Sequence, residues 1–273
     1  MGTHVTVADV VAMKRRGQKI VGVVAWDYQL AQIADRAGVD LVSVGDSVGT
    51  NLWGRSNPLD VSMDEMVLVC QAVRRGVKRA IVMCDFPFGP LQEGRASAVR
   101  AAVRLARDAG ADMVKLDAAA DFLDAVAAVS KAGIPVVAQF GITPQTALRH
   151  GIGYPQMSGP GSHVPLEMKE ELVAQARQLE AAGATMLDFT NSGPAVGPAV
   201  VQSVSIPVIG GMGGGPWLDG RIRMIHAAIG YSAASVDNPS EGYANVGAIA
   251  FDALRAYSAD VREGRQIKGG MAV

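Results

Sequence analysis

Short runs of apolar, often β-branched residues alternate with longer Ala-rich stretches along most of this chain. Seven strand candidates lie at residues 19–25, 40–45, 79–84, 112–116, 134–140, 184–189 and 206–211, and a weaker eighth lies near 231–236. The helix candidates between them cover residues 28–38, 62–76, 94–110, 119–133 and 165–183. Because strands that are apolar on both faces are typical of a parallel sheet covered by helices, this pattern predicts an α/β fold.

The number of strand–helix units narrows the choice of fold. Seven or eight units in about 250 residues predict a single (β/α)8 TIM barrel that spans residues 1–273. A doubly wound open sheet is the alternative, but the Gly-rich stretch 210–220 lies too late in the chain for a dinucleotide-binding turn. The Gly- and Pro-rich segment 141–165 predicts a long functional loop after the fifth strand, and a helical segment is expected at the C-terminus.

Composition and charge exclude several classes of partner. The formal net charge is −1 and no long run carries one sign, so we expect no nucleic-acid surface. No apolar stretch reaches membrane-spanning length, and the N-terminus lacks the pattern of a secretion signal. Cys70 and Cys84 lie in apolar surroundings, which favours two buried free thiols and a cytoplasmic location.

Acidic residues follow three consecutive strand candidates. Asp46, Asp85 and Asp117 come at the ends of strands two, three and four, and Lys115 precedes Asp117 by two residues on the same side of its strand. In a barrel these strand ends meet at one rim. Oxygen ligands without His or Cys favour Mg²⁺ or Mn²⁺, and Lys115 would neutralise a bound oxyanion. The alternative is that each Asp caps the next helix, but three in succession favour a metal and anion site.

The stretch "TMLDFTNS" at residues 185–192 places an acid, Asp188, inside an apolar strand. Such a carboxyl group is costly to bury unless it is paired, hydrogen-bonded or bound to a cation. Two interpretations are open. Asp188 is either a catalytic carboxylate with a raised pKa, or a structural acid that Ser, Thr or backbone groups satisfy.

Several motifs together resemble those of the ketopantoate hydroxymethyltransferase family. They are "AWDYQLAQIADRAGVDLVSVGDSVG", "QAVRRG", "DFPFG", "GADMVKLD", "FGITPQ", "LEAAGA", "IPVIGGMGGG" and "LDGRIRMIHAAIG", and the match covers most of the chain from about residue 3 to residue 231. The resemblance implies a (β/α)8 barrel of the phosphoenolpyruvate mutase/isocitrate lyase superfamily. It also implies Mg²⁺, transfer of a hydroxymethyl group from methylenetetrahydrofolate to 3-methyl-2-oxobutanoate, and a large homo-oligomer, a decamer or octamer.

The resemblance also implies roles for individual residues. Asp46 and Asp85 match carboxylates that bind the metal directly or through water and so face the substrate. Ser47 matches a contact to the substrate carboxylate, and Lys115 matches the substrate-binding lysine. Asp117 stands where the family has Glu, so a bridging water would replace a direct contact with the metal.

Two positions depart from the family pattern. Gln139 stands at the family's histidine in "QFGITPQ", and Thr190 stands at the glutamate that serves as the catalytic base. Glutamine donates hydrogen bonds but does not shuttle protons, and a threonine hydroxyl is not a base at neutral pH without another base beside it. Asp188 faces the same way as Thr190, about 6–7 Å deeper in the barrel. We therefore take Asp188, Thr190 and Gln139 as the candidate catalytic residues.

Three functions are compatible with this set of residues. The first is a Mg²⁺-dependent hydroxymethyltransferase or other aldol-type enzyme that acts on a small 2-oxo acid through a metal-stabilised enolate. The second is a lyase or decarboxylase of a 2-oxo acid, which needs no base at C3 because cleavage of the C–C bond itself generates the enolate. The third is a 2-oxo acid-binding protein that has lost catalysis. The intact set of metal-ligand candidates favours the enzymes.

Overall fold

Eight parallel strands form a closed barrel in chain order in the computed structural model, which describes residues 4–157, 162–238 and 242–269. The strands are β1 (Ile20–Val24), β2 (Leu41–Val44), β3 (Ile81–Asp85), β4 (Met113–Leu116), β5 (Val136–Gly141), β6 (Met186–Thr190), β7 (Val208–Gly210) and β8 (Gly220–Met224). The predicted (β/α)8 barrel is confirmed, and the open sheet is excluded. Part of the predicted 141–165 loop, residues 158–161, lies outside the described residues.

Eleven α-helices are present in the described part of the chain. They are α1 (Val7–Arg15), α2 (Tyr28–Ala37), α3 (Val48–Asn51), α4 (Met63–Gly76), α5 (Arg95–Arg107), α6 (Leu123–Lys131), α7 (Lys169–Ala181), α8 (Gly193–Ser203), α9 (Ile225–Ile229), α10 (Ala234–Asp237) and α11 (Val246–Arg262). Gly38 ends α2 in the left-handed conformation, with φ of 90°. A glycine adopts this conformation without steric cost, so the Ala-Gly stop signal worked as expected.

The predicted eighth strand near residues 231–236 is wrong. The eighth strand is β8, and residues 234–237 form the short helix α10 instead. In β8, Gly220 and Ile222 are buried while Arg221 and Arg223 are exposed. This alternation hides the strand from a search for continuous apolar runs.

The lower half of the barrel is filled by apolar side chains from every strand. The cluster comprises Val10 from α1 together with Ile20, Leu41, Ile81, Met83, Met113, Val137, Met186, Ile209 and Ile222. These side chains exclude water beneath the carboxyl ends of the strands. Polar side chains further along the same strands therefore lie directly above this apolar cluster, where burial shifts their pKa values.

The chain divides into two compact units, residues 1–222 and residues 223–273. The first holds the core and the candidate site described below. In the second, Asn245 caps α11 through a hydrogen bond from the Ala248 backbone, and its amide donates to the Ser235 carbonyl. The single domain expected for residues 1–273, of which 1–3, 158–161, 239–241 and 270–273 lie outside the described residues, stays a prediction.

The expectations about membrane-spanning segments and about the two cysteines can be compared with the structure. No helix among the described residues combines the length and apolar character needed to cross a bilayer. Cys70 and Cys84 are both buried free thiols, as predicted.

Candidate functional site

The residues expected at the site lie at the carboxyl ends of β2 to β6. Asp46 and Ser47 follow β2, Asp85 ends β3, Lys115 and Asp117 lie in and just after β4, Gln139 lies in β5, and Asp188 and Thr190 lie in β6. All of them are buried except Ser47 and Lys115, which are partly buried. The barrel therefore brings together residues that are up to 144 positions apart, from Asp46 to Thr190.

Lys115 is the link between three strands. Its Nζ atom lies 2.9 Å from Asp85 Oδ2 and 3.5 Å from Asp188 Oδ2. The first contact follows from the β3–β4 register, which pairs Asp85 with Lys115. The second crosses the barrel interior to β6. The acid inside the apolar strand is thus paired with a cation, which removes much of the cost of burying it.

Burial and mutual charge shift the ionisation of this trio. Burial alone would lower the pKa of Lys115, but Asp85 and Asp188 outweigh it and hold that pKa well above its usual value. Burial raises the pKa of Asp85 to about 7, with Lys115 opposing and Asp46 adding to the rise. Burial likewise raises the pKa of Asp188 against the opposing charge of Lys115. Lys115 therefore stays protonated, and it provides a fixed positive charge rather than a nucleophilic amine.

Asp46 and Asp117 add two further buried acids. Burial, followed by the charge of Asp117, raises the pKa of Asp46 to about 6. Burial raises the pKa of Asp117 to about 6 as well, although a hydrogen bond with Thr143 opposes the shift. Four carboxyl groups thus lie in the field of Lys115, and full ionisation would leave an excess of negative charge. A divalent cation would compensate this excess.

Three buried oxygen atoms on β2, β3 and just after β4 lack hydrogen-bond partners in the described part of the chain. Asp85 Oδ1, Asp117 Oδ1 and Ser43 Oγ are buried without a hydrogen-bond partner among the described residues. A Cβ atom at Gly45 would lie 2.9 Å from Ser47 Oγ and 3.6 Å from Asp85 Oδ2, so only glycine lets Ser47 Oγ approach the backbone this closely. Carboxylate oxygens of this kind suit Mg²⁺. Three or more His, Cys, Asp or Glu side chains do not meet at metal-ligand spacing anywhere in residues 4–157, 162–238 and 242–269, so water and substrate oxygens would complete the shell.

The two departures from the family pattern contact each other. Gln139 Nε2 donates a hydrogen bond of 2.8 Å to Thr190 Oγ1, and both side chains are buried. The β5–β6 register pairs Gly141 with Thr190 and Gln139 with Asp188. Where the family places a histidine and a glutamate, this chain therefore holds a neutral, mutually bonded pair. The carboxylate nearest to this pair along β6 is Asp188.

Sequence reasoning missed three residues that shape the site. Gln145 donates to Asp46 and Asp117, Thr143 lowers the pKa of Asp117 against the effect of burial, and Asn191 lies fully buried after β6 with φ of 58°. The Asn191 carbonyl accepts from Val164, and its amide donates to the Ile142 carbonyl, so it fastens both ends of the β5–α7 connection. "GITPQ" was visible as a motif, but only the folded turn shows where its glutamine points.

The raised pKa of Asp46 gives a prediction about stability. A group whose folded pKa is raised stabilises the fold only at low pH, and that stabilisation is lost as the pH rises from 3.8 through about 6. We expect Asp46→Asn, measured in a chelator, to increase the free energy of unfolding at pH 8 by about 2–3 kcal/mol, with no gain near pH 4. Urea unfolding at both pH values measures this. Asp252→Asn, on the exposed side of α11, is the control, and a variant no more stable than wild type at pH 8 contradicts the expectation.

Comparisons with known proteins were made for the chain and for the fold. The sequence profile of the family described as ketopantoate hydroxymethyltransferase matches residues 4–266. The 3-methyl-2-oxobutanoate hydroxymethyltransferase of Cyanothece sp. is 38% identical over 94% of this chain and 96% of the relative. The enzyme of the same name from Thermococcus kodakarensis is 39% identical over 96% of this chain and 89% of the relative.

Solved structures with a similar fold belong to more distant proteins. A 2,3-dimethylmalate lyase of the PEP mutase/isocitrate lyase superfamily aligns with a TM-score of 0.61 at 15% identity, over all of both chains. A phosphonopyruvate hydrolase solved with oxalate and Mg²⁺ aligns with a TM-score of 0.59 at 16% identity, over 95% of this chain and 88% of that one. These likenesses support the barrel fold. The sequence matches go further, and they show that the chain belongs to the ketopantoate hydroxymethyltransferase family of enzymes.

Proposed function

We propose that this chain is a Mg²⁺-dependent hydroxymethyltransferase that acts on a small 2-oxo acid, with Asp188 as the base that removes the C3 proton. The observation that carries the proposal is the position of Lys115 between Asp85 and Asp188. The resemblance assigns the substrate to this lysine. A carboxylate that contacts the same Nζ atom is then close to any 2-oxo acid held there.

Asp46 and Asp85 would hold the cation, directly or through water, and Asp117 would contribute through a bridging water. Asp85 Oδ1 and Asp117 Oδ1 are buried without partners among the described residues, which suits them to this role. When bound, Mg²⁺ would draw electron density from the keto group and make the C3 proton more acidic. In the phosphonopyruvate hydrolase of similar fold, Mg²⁺ is present together with oxalate, a small dicarboxylate.

Ser47 and Lys115 would orient the substrate. Ser47 begins α3, and its side chain makes no capping hydrogen bond there, so the hydroxyl is available to a carboxylate. Lys115, which stays protonated, supplies a fixed positive charge for the substrate's anionic oxygens. These two contacts would fix which face of C3 points across the barrel.

Asp188 would then carry out the proton transfer. Hydrolysis of methylenetetrahydrofolate by water would break both C–N bonds of its methylene bridge, protonate both nitrogens and supply formaldehyde. The Asp188 carboxylate would accept the C3 proton, and the electron pair of the broken C–H bond would form the new C–C bond with the formaldehyde carbon. The formaldehyde oxygen would take up a proton and become the hydroxyl group. Burial raises the pKa of Asp188, which makes the carboxylate a better base than a solvated aspartate. Lys115 opposes part of that shift, because its positive charge favours the ionised carboxylate.

The test is deuterium exchange at C3, followed by proton NMR with Mg²⁺ and a panel of small 2-oxo acids in D2O. We expect exchange of 3-methyl-2-oxobutanoate, and ketopantoate formation when methylenetetrahydrofolate or formaldehyde is added. Asp46→Ala and Asp85→Ala should abolish both reactions, because each removes a cation ligand. Absence of exchange on every member of the panel contradicts the proposed function.

A second function is favoured by the Gln139–Thr190 hydrogen bond. A neutral pair at the family's two acid–base positions suits an enzyme that only cleaves a C–C bond, because cleavage leaves the electron pair on C3 without removal of a C3 proton. The proton of the C4 hydroxyl, which becomes the carbonyl of the second product, would pass to the Asp188 carboxylate. Such a lyase would split 4-hydroxy-2-oxo acids in D2O while the unreacted substrate stays undeuterated at C3. Deuterium in the unreacted substrate excludes this second function.

Two further expectations remain, the first resting on the resemblance and the second on the two buried free thiols. We propose that the chain assembles into a homo-oligomer, a decamer or octamer, and that it acts in the cytoplasm. Sedimentation of the purified protein measures the first.

A further inference from the structure

Gln145 occupies an unusual place beside the acids. Its side-chain Nε2 donates to Asp46 Oδ2 at 3.3 Å and to the Phe86 carbonyl at 3.4 Å. Its backbone N–H donates to Asp117 Oδ2 at 3.2 Å. Gln145, which follows β5, thus contacts the segments that follow β2, β3 and β4.

The partners of the Gln145 amide are both oxygen atoms that a hard divalent cation accepts as ligands. The Gln145 NH₂ group directs its two partly positive hydrogens at these two acceptors. It therefore compensates their negative charge as a cation would, but more weakly. A cation bound by Asp46 Oδ2 would take the acceptor that Gln145 uses. The side chain and the ion therefore compete for the same oxygen.

The backbone around Gln145 is well braced. Residues 142–150, here termed the Gln145 turn, carry a hydrogen bond of 2.8 Å between the Thr143 and Thr146 hydroxyls and another of 2.8 Å from the Ala147 N–H to the Thr143 carbonyl. Arg149, at the far end, pairs with Asp121. Because the turn is a compact unit, release of its Gln145 side chain changes how firmly the whole turn is held.

We propose that Gln145 is a positioning residue whose amide occupies the cation's position at Asp46 Oδ2 when no cation is bound. Cation binding then displaces the Gln145 amide and loosens the Gln145 turn. The proposal rests on the cation site in the proposed function. The stability of the Gln145 turn then depends on whether the cation is bound. The turn is separate from the residues that carry out proton transfer.

The first experiment measures Mn²⁺ affinity by electron paramagnetic resonance for wild type, Gln145→Ala and Gln145→Asn. We expect Gln145→Ala to bind Mn²⁺ about fivefold more tightly, since it removes hydrogen bonds to a charged group that the ion must break. Gln145→Asn is one methylene shorter and should tighten binding in the same direction. Gln156→Ala, an exposed glutamine further along the same connection, is the control and should match wild type.

The second experiment follows tryptic cleavage after Arg149, within the Gln145 turn. In a chelator, Gln145→Ala should be cleaved faster than wild type, and added Mg²⁺ should accelerate cleavage of wild type but not of the variant. Both readouts are independent of catalytic activity.

Each outcome decides one of the two proposals. If wild type binds Mn²⁺ and Gln145→Ala binds it equally or more weakly, Gln145 does not compete and the inference is overturned while the proposed function stands. Equal cleavage rates in the chelator also overturn it. If neither wild type nor the variant binds Mn²⁺, the cation site itself is absent, and both proposals fail.

Discussion

Asp188→Asn is expected to slow C3 deuterium exchange of a 2-oxo acid by about 100- to 10,000-fold, the usual contribution of a positioned base. The amide keeps the size of the side chain and can accept a hydrogen bond from Lys115, but it cannot take a proton. Lys115 retains its 2.9 Å contact with Asp85, so the charge that orients the substrate remains. Proton NMR of the substrate in D2O with Mg²⁺ measures the effect, and Mn²⁺ affinity should not change.

Thr190 provides the matched control for this prediction. Thr190→Ala removes the hydroxyl that accepts from Gln139 but leaves Asp188 in place, so exchange should fall far less. The combined variant Asp188→Asn, Thr190→Glu and Gln139→His moves the carboxylate and the imidazole back to the family's positions, and it should recover part of the exchange. If Asp188→Asn exchanges at the wild-type rate, Asp188 is not the base.

Lys115→Met should destabilise the folded protein by about 3–5 kcal/mol at pH 8, because it removes one partner of a buried ion pair and leaves the carboxylates uncompensated. Asp85 and Asp188 both lie within 3.5 Å of the Lys115 Nζ atom, so two buried charges lose their partner at once. The cost should shrink as the pH falls, because burial already raises the pKa of Asp85 to about 7 and protonation neutralises it. Urea unfolding in a chelator at pH 8 and pH 5 measures the difference.

The control for this variant is Lys131→Met at the exposed end of α6, which should leave stability unchanged. A triple variant, Lys115→Met with Asp85→Asn and Asp188→Asn, carries no buried charge in this trio and should recover most of the loss. Equal loss in the triple variant would show that packing, not charge, accounts for the effect.

The barrel and the rim of acids could be predicted because both depend on local pattern. Asp46, Asp85 and Asp117 each end a recognisable apolar run, and parallel strands in a barrel must end at the same rim. The eighth strand could not be found in this way, because Arg221 and Arg223 interrupt its apolar residues. The other seven strands were found because each lies in a nearly continuous apolar run.

Contacts between residues that are far apart in the sequence could not be predicted from it. Lys115 and Asp188 were each singled out, but their pairing across the barrel depends on strand closure and side-chain direction. Gln139 and Thr190 are 51 positions apart, and their hydrogen bond follows from the β5–β6 register. Gln145 lies in a connection without periodic pattern, where the backbone path decides which acid a side chain reaches.

A crystal structure with Mg²⁺ and 3-methyl-2-oxobutanoate would test the proposed chemistry most directly. We expect the cation at Asp46 and Asp85, the substrate carboxylate at Ser47 and Lys115, and the C3 atom facing the Asp188 carboxylate. A substrate whose C3 atom faces Thr190, with Asp188 out of reach behind Lys115, would contradict the assignment of Asp188 as the base.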